Sequence, residues 1–157
     1  MYVGRIKIEK GIYSLLKLIK NRDNLSLTIV GAEKNKSQNI NQNNVKVLKN
    51  ESNKIDLIKF YDNHNIFVLP SFTEGHPMSL LEALARKRPV VIFEEIQHVI
   101  GEKKGIFVSK RNYESFIKTI EYIKKNYREI QEEMNQNKLP TKKEFIKSME
   151  NSITNFN

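Results

Sequence analysis

Two glutamates, Glu74 and Glu82, bracket a turn and the start of a predicted helix, with seven residues between them. The residues just before them, 66–69, are all apolar, as expected for a strand covered on both faces of a parallel sheet. Pro77 suits the first position of a helix, where its missing N–H costs nothing. A helix that starts just after a parallel strand offers unpaired N–H groups and a partial positive charge. This stretch is therefore a candidate phosphate site.

Glu82 is the only charged residue between His76 and Arg86, and apolar residues cover most of the circumference of the helix around it. A carboxylate buried there needs a partner or a hydroxyl-bearing ligand to offset its desolvation. The same periodicity also allows Glu82 to face water on a narrow polar stripe with Ser79 and Arg86. The residues alone leave both interpretations open.

Composition narrows the class of protein. The chain has 157 residues, a length typical of a single domain. It has no cysteine, and its three histidines are not spaced like metal ligands. We therefore expect no disulfide, no thiolate metal site and no zinc site. No apolar run approaches the length of a membrane span and no signal peptide is evident, so a cytoplasmic location is expected.

The net charge of +9, from 27 basic and 18 acidic residues, favours anionic partners. The basic residues are scattered along solvated helix faces, and no nucleic-acid-binding motif is present. We predict no nucleic-acid partner. Peripheral contact with an anionic membrane surface, at the inner face of the membrane, is an open expectation.

Predicted strands and helices alternate along the chain. Strands are expected at 1–3, 25–30, 45–48, 66–69, 89–93 and 106–108, and helices at 12–20, 55–61, from 77, at 113–134 and over 141–157, where Thr141 caps the last one. Residues 39–44 belong to a polar loop that we expect to be mobile. The alternation predicts an α/β fold, a single Rossmann-like domain over 1–157. Its doubly wound parallel sheet would have about six strands, with helices on both faces.

Ligands of such sheets bind beyond the carboxyl ends of the strands. Three turns meet that requirement and should share one edge of the sheet: residues 4–11, 31–33 and 71–77. Each of these turns directly follows a predicted strand, so the sequence predicts a single ligand site there.

Several motifs, in order along the chain, carry a resemblance to a known family. They are Val3-Gly4-Arg5 with Glu9-Lys10-Gly11, Thr28-Ile29-Val30-Gly31, Phe67-Val68-Leu69-Pro70-Ser71, and Glu74-Gly75-His76-Pro77 continuing to Leu81-Glu82-Ala83-Leu84-Ala85 and Pro89-Val90-Val91. Together they resemble the C-terminal, nucleotide-sugar-binding domain of GT-B glycosyltransferases, in particular the retaining group 1, or family 4, enzymes. The resemblance covers nearly the whole chain and implies one half of a GT-B fold.

The resemblance implies roles for the matching residues. Arg5 and Lys10 would bind the donor diphosphate and stabilise the leaving nucleotide, because fixed cations offset its growing negative charge. Glu74 would lie near the donor sugar hydroxyls and Glu82 would take the ribose hydroxyls. Catalytic roles thus fall to Glu74, Arg5 and Lys10. The remaining substrate-binding positions are Gly4, Gly75, His76, Pro77, Met78 and Ser79.

The implied activity is transfer of a sugar from a nucleotide diphosphate sugar to an acceptor, with retention of configuration. The resemblance also implies that the reaction needs no metal and no cofactor. Surface polysaccharide, lipopolysaccharide or glycoconjugate synthesis is the commonest family use. The acceptor-binding N-terminal domain is expected as a missing partner, so this chain alone should be inactive. Three alternatives stay open: a noncatalytic nucleotide-sugar-binding module, another GT-B enzyme such as a sugar-nucleotide epimerase or phosphorylase, and a basic nucleic-acid-binding protein.

Two segments depart from the family pattern. Arg86-Lys87-Arg88 replaces the glycine with which the family ends the helix, which should cost some stability at the helix end. The segment 94–100 lacks the family's glycine pair, so the donor-sugar side of the pocket is expected to differ.

Overall fold

The computed structural model describes residues 1–32, 40, 42–49, 54–139, 141, 143–144 and 146–147. Its strands are β1 (Tyr2–Val3), β2 (Leu27–Ala32), β3 (Val45–Lys49), β4 (Phe67–Leu69), β5 (Val90–Phe93) and β6 (Ile106–Ser109). Its α-helices are α1 (Ile12–Ile19), α2 (Lys54–Asp62), α3 (Met78–Ala85), α4 (Tyr113–Lys125) and α5 (Tyr127–Glu133). Short 3₁₀ segments cover Glu94–Val99 and Met134–Gln136. Each strand boundary lies within two residues of its prediction.

The strands form two parallel three-stranded sheets, β1-β2-β3 and β4-β5-β6. Hydrogen bonds join the two sheets edge to edge at β1 and β4. The Val68 N–H donates to the Met1 carbonyl at 2.9 Å, and the Met1 amino group donates to the Ile66 carbonyl at 2.6 Å. The order across the molecule is therefore β3-β2-β1-β4-β5-β6, and its direction reverses between β1 and β4. This confirms the predicted doubly wound, Rossmann-like sheet of about six strands.

Helices cover both faces of the sheet. On one face, Arg86 at the end of α3 holds Asp62 at the end of α2 through two hydrogen bonds of 2.6 and 2.8 Å. On the other face, α1 and α4 line a common cavity with Leu15 and Phe116 among its walls. Every residue of β4 and β5 is buried because both faces are covered. Among the helices of the described ranges, none combines the length and apolarity needed to cross a bilayer.

Two helix predictions need correction. The helix predicted over 113–134 is interrupted at Asn126, whose side-chain amide donates to the Tyr122 carbonyl at 2.8 Å. Asparagine competes in this way for backbone groups and so favours helix ends. Pro77 is not the first helical residue, because its ψ of 98° is extended and the helix begins at Met78. The Pro77 carbonyl instead accepts the first helical hydrogen bond.

Some predictions fall partly or wholly outside the described residues. Glu33, most of the segment 141–157 and part of the loop 39–44 belong to this group. Thr141 is described, and its hydroxyl accepts the Glu144 N–H at 3.2 Å while the Glu144 carboxylate accepts the Thr141 N–H at 2.8 Å. This reciprocal pair is the capping arrangement of a helix start.

At the end of α3, Lys87 occupies the position where the family has a glycine. Lys87 adopts a left-handed φ of 53°. The Lys87 N–H donates to the Leu84 carbonyl and the Arg88 N–H to the Ala83 carbonyl, both at 2.9 Å. This is the Schellman pattern, which normally places glycine at the left-handed position. The predicted cost at this helix end is therefore located at Lys87.

Replacing Lys87 by glycine should raise the free energy of unfolding by about 1 kcal/mol, because an L-residue is strained in the left-handed region. The Lys87 side chain is exposed, so few contacts are lost with it. Urea unfolding would measure the change.

The matched control is Asn21→Gly, at the end of α1, where φ is 57°. Asparagine tolerates the left-handed region better than lysine, so this second substitution should give a clearly smaller gain. Equal effects at the two positions would contradict the assignment of strain to Lys87.

Candidate functional site

The predicted site residues meet where the strand order reverses. The loops after β1 and β4 enclose a pocket of about 410 Å³ between them. All of the predicted site residues except Gly75 line it, namely Gly4, Arg5, Lys10, Glu74, His76, Pro77, Met78, Ser79 and Glu82. The pocket thus lies at the carboxyl edge of the sheet, where open α/β sheets bind their ligands.

An ion pair crosses this pocket from one loop to the other. The Lys10 ammonium donates to Glu74 Oε1 at 2.7 Å, and the Ser71 hydroxyl donates to the same oxygen at 2.6 Å. The ammonium keeps two further N–H donors. Within the described ranges, Glu74 Oε2 has no hydrogen-bond partner in the protein. The pair can therefore stay intact while Lys10 binds an anion and Glu74 accepts a hydroxyl.

Arg5 presents a second cation to the pocket. Its side chain is exposed, and no carboxylate of the described residues is within ion-pair distance of it. The Tyr2 hydroxyl fixes the backbone here by donating to the Arg5 carbonyl at 2.9 Å. Burial, together with nearby Glu74, raises the pKa of Tyr2, so this phenol remains a donor. Gly4 leaves room for it, since a Cβ there would lie 2.6 Å from the Tyr2 hydroxyl oxygen.

Glu82 has a protein partner that the sequence did not reveal. The Tyr61 hydroxyl, on α2, donates to Glu82 Oε2 at 2.8 Å and approaches the Ser79 carbonyl at 3.2 Å. Glu82 is half-buried and lines the pocket, so both earlier interpretations hold in part. Burial and the neighbouring carboxylate raise the pKa of Tyr61, which keeps its proton for this bond. A buried tyrosine hydroxyl normally requires such a partner, which is the signal that could have indicated it.

The start of α3 lies between the two glutamates. The N–H groups of Leu80 and Leu81 make the first helical bonds, to the Pro77 carbonyl. Within the described part of the chain, those of Met78 and Ser79 have no protein acceptor. Unpaired N–H groups at a helix start are suited to an anion, and the phosphate site that the sequence suggests here stays a prediction.

Gly75, in the turn before α3, does not line the pocket. A Cβ added at Gly75 meets no atom within 4 Å, so the protein itself does not require glycine there. His98, from the 3₁₀ segment that departs from the family pattern, hydrogen-bonds through Nε2 to the Glu74 carbonyl at 2.8 Å. The neutral tautomer with Nε2 protonated and the imidazolium can both donate this bond. The sequence assigned no role to His98.

Two curated proteins that are similar in sequence to this chain are glycosyltransferases. The chain is 30% identical over 135 residues to the capsular polysaccharide biosynthesis glycosyltransferase CapM of Staphylococcus aureus, covering 76% of this chain and 35% of CapM. It is 27% identical over 124 residues to a Bacillus subtilis (strain 168) glycosyltransferase assigned to teichuronic acid biosynthesis, TuaC, covering 76% and 31%. The chain thus spans about a third of the length of the curated relatives it matches.

Solved structures share the fold at low sequence identity. Sucrose-phosphate synthase from Thermosynechococcus elongatus superposes with a TM-score of 0.78 at 17% identity, covering 99% of this chain and 44% of that one. Anabaena Alr3699/HepE, solved in complex with UDP and glucose, gives 0.67 at 14% identity, covering 85% and 41%. The family model described as glycosyl transferases group 1 matches residues 1–139. That match covers most of the chain and confirms the resemblance carried by its motifs: the protein belongs to the group 1 glycosyltransferase family.

Proposed function

We propose that this chain is the donor-binding part of a glycosyltransferase that uses a nucleotide diphosphate sugar. The observation that carries the proposal is the meeting of two cations and two carboxylates in one pocket at the reversal of strand order. The names of CapM and TuaC support a role in surface polysaccharide synthesis. The UDP and glucose present in the Alr3699/HepE structure support a nucleotide sugar as the ligand.

The proposed donor lies along the pocket with its diphosphate at the start of α3. Arg5, Lys10 and the N–H groups of Met78 and Ser79 offer positive charge and hydrogen-bond donors there. Glu82, held by Tyr61 through Oε2, would accept the ribose hydroxyls with Oε1. At the opposite end of the pocket from Glu82, Oε2 of Glu74 would accept a hydrogen bond from a hydroxyl of the donor sugar.

In the proposed reaction, the bond between the anomeric carbon and the diphosphate oxygen breaks, and the anomeric carbon bonds to an acceptor oxygen whose proton is released to water. The departing nucleoside diphosphate gains negative charge. Arg5 and Lys10 lower the barrier because they are already aimed at that charge. Retention of configuration and independence of a metal stay predictions.

Acceptor recognition would need a further domain, because this chain spans about a third of its curated relatives. On this proposal the chain binds donor without transferring its sugar until such a domain is supplied. A cytoplasmic location and peripheral contact with an anionic membrane surface also stay predictions.

The ribose role of Glu82 can be tested by calorimetry with UDP, GDP and ADP, each compared with its 2′,3′-dideoxy form. Glu82→Ala should weaken binding of the best ribonucleotide by about 2 kcal/mol, roughly thirtyfold, because a hydrogen bond to a carboxylate is lost. The dideoxy form should bind wild type and Glu82→Ala with equal affinity.

Glu94→Ala serves as the control, since Glu94 is an exposed carboxylate that does not line the pocket. It should leave both affinities unchanged. If Glu82→Ala weakened the ribose and dideoxy forms equally, Glu82 would not contact the ribose. If wild type bound no nucleotide at millimolar concentration, the proposed function would fail.

The diphosphate role of Lys10 can be tested against its neighbour Lys7. Lys10→Ala should weaken nucleoside diphosphate binding roughly tenfold through the loss of a charge-assisted hydrogen bond. Binding of the monophosphate should change much less. Lys7 lies in the same loop but contacts Glu9 at 3.5 Å and does not line the pocket.

Lys7→Ala therefore removes the same charge without removing a predicted contact. It should change the affinity for the diphosphate by much less than Lys10→Ala at physiological ionic strength. Equal losses from the two substitutions would indicate a general effect of charge and would contradict a specific role for Lys10.

A further inference from the structure

Arg111 lies just beyond β6, outside the pocket, and joins the loops that form it. Its Nε donates to Glu95 Oε1 at 2.7 Å. Its Nη1 donates to the Ser14 hydroxyl at 2.8 Å and to the Pro70 carbonyl at 2.9 Å. Its Nη2 donates to the Ser71 carbonyl at 3.2 Å. One guanidinium thus connects the segments that follow β1, β4, β5 and β6.

Two aromatic rings hold the same guanidinium. The Arg111 Cζ lies 4.1 Å from the ring centroid of Phe72 and 4.3 Å from that of Phe93. The side chain is only 16% exposed. Planar stacking combined with a fork of N–H donors is specific to arginine, because a lysine ammonium is a compact point charge.

The partners of Arg111 adjoin the Lys10–Glu74 ion pair. Pro70 and Ser71 begin the turn that carries Glu74, and the Ser71 hydroxyl itself donates to Glu74. On the other side, Gly11 follows Lys10 with a φ of 64°, and a Cβ there would lie 1.8 Å from the Pro70 carbonyl oxygen. The two loops therefore abut at the carbonyl that Arg111 binds.

We propose that Arg111 is a positioning residue of the donor site, which holds the loops after β1 and β4 in the register that aims Lys10 and Glu74 into the pocket. This inference rests on the proposed function, because the geometry matters only if the pocket binds a donor. Arg111 acts through the backbone and through Ser71 rather than by touching the ligand. Its loss would displace Lys10 and Glu74 without removing them.

The chain provides a matched arginine away from the site. Arg86 also makes two short hydrogen bonds, to the Asp62 carboxylate, but it joins α2 to α3 and does not line the pocket. Substitutions at Arg86 therefore remove an arginine that links two segments, through a more exposed ion pair, without touching the two loops. The variants to compare are Arg111→Lys and Arg111→Gln with Arg86→Lys and Arg86→Gln.

Calorimetry with UDP, GDP and ADP measures the first effect. Both Arg111 variants should bind the best of these roughly tenfold more weakly than wild type, by analogy with the residues that orient metal ligands, whose loss costs about 10- to 100-fold in affinity. Neither Arg86 variant should change the affinity. In a Lys10→Ala background, Arg111→Lys should cost little more, because these nucleotides carry no donor sugar for Glu74 to bind and Lys10 is the displaced group that would contact them.

Hydrogen exchange without nucleotide measures the second effect. Arg111→Lys should accelerate amide exchange roughly tenfold in residues 10–14 and 71–76 and around Glu95, and leave segments that Arg111 does not contact, such as α2 and α5, unchanged. The positioning role would be overturned by faster exchange throughout the chain or by unchanged exchange in both loops. It would also be overturned if Arg111→Lys caused the same tenfold loss of affinity in the Lys10→Ala background.

The two proposals fail in different ways. If wild type binds a nucleotide and the Arg111 variants bind it equally well, the positioning role is wrong and the proposed function stands. If wild type binds none of the three nucleotides, the proposed function is wrong and the positioning role falls with it.

Discussion

The structure depends on the junction between β1 and β4, where the Val68 N–H bonds to the Met1 carbonyl. Strand order reverses at this junction, so the loops after the two strands diverge and leave a crevice between them. One loop carries the cations Arg5 and Lys10, and the other carries Glu74. The site can thus combine opposite charges from segments that lie far apart in sequence.

A cation and a carboxylate in one pocket could saturate each other's hydrogen-bonding groups and leave none for a ligand. They do not, because Lys10 and Ser71 both donate to a single oxygen of Glu74. Tyr61 likewise approaches one oxygen of Glu82. Each carboxylate is therefore oriented through one oxygen and retains acceptor capacity on the other. The proposed donor would therefore not have to break the ion pair in order to bind.

The sequence predicted what local patterns determine. The alternation of apolar runs with helical patterns predicted the sheet, and the resemblance carried by the motifs around Arg5, Lys10, Glu74 and Glu82 named many of the residues that line the pocket. Hydrophobic periodicity did not predict the helix end at Asn126, because there a side-chain amide competes with the backbone for the Tyr122 carbonyl. Periodicity also did not predict contacts between distant segments, because no spacing rule connects Tyr61 with Glu82 or Arg111 with Pro70.

The turn between Pro70 and Glu74 shows why such contacts matter. It has no regular secondary structure, so its carbonyls need partners from elsewhere. Arg111 donates to the Pro70 and Ser71 carbonyls, and His98 hydrogen-bonds to the Glu74 carbonyl. His98 belongs to the segment that departs from the family pattern. Side chains from the loops after β5 and β6 therefore stabilise this turn, so differences in those loops can shift Glu74 and its side of the pocket without any change in the motif around Glu74 itself.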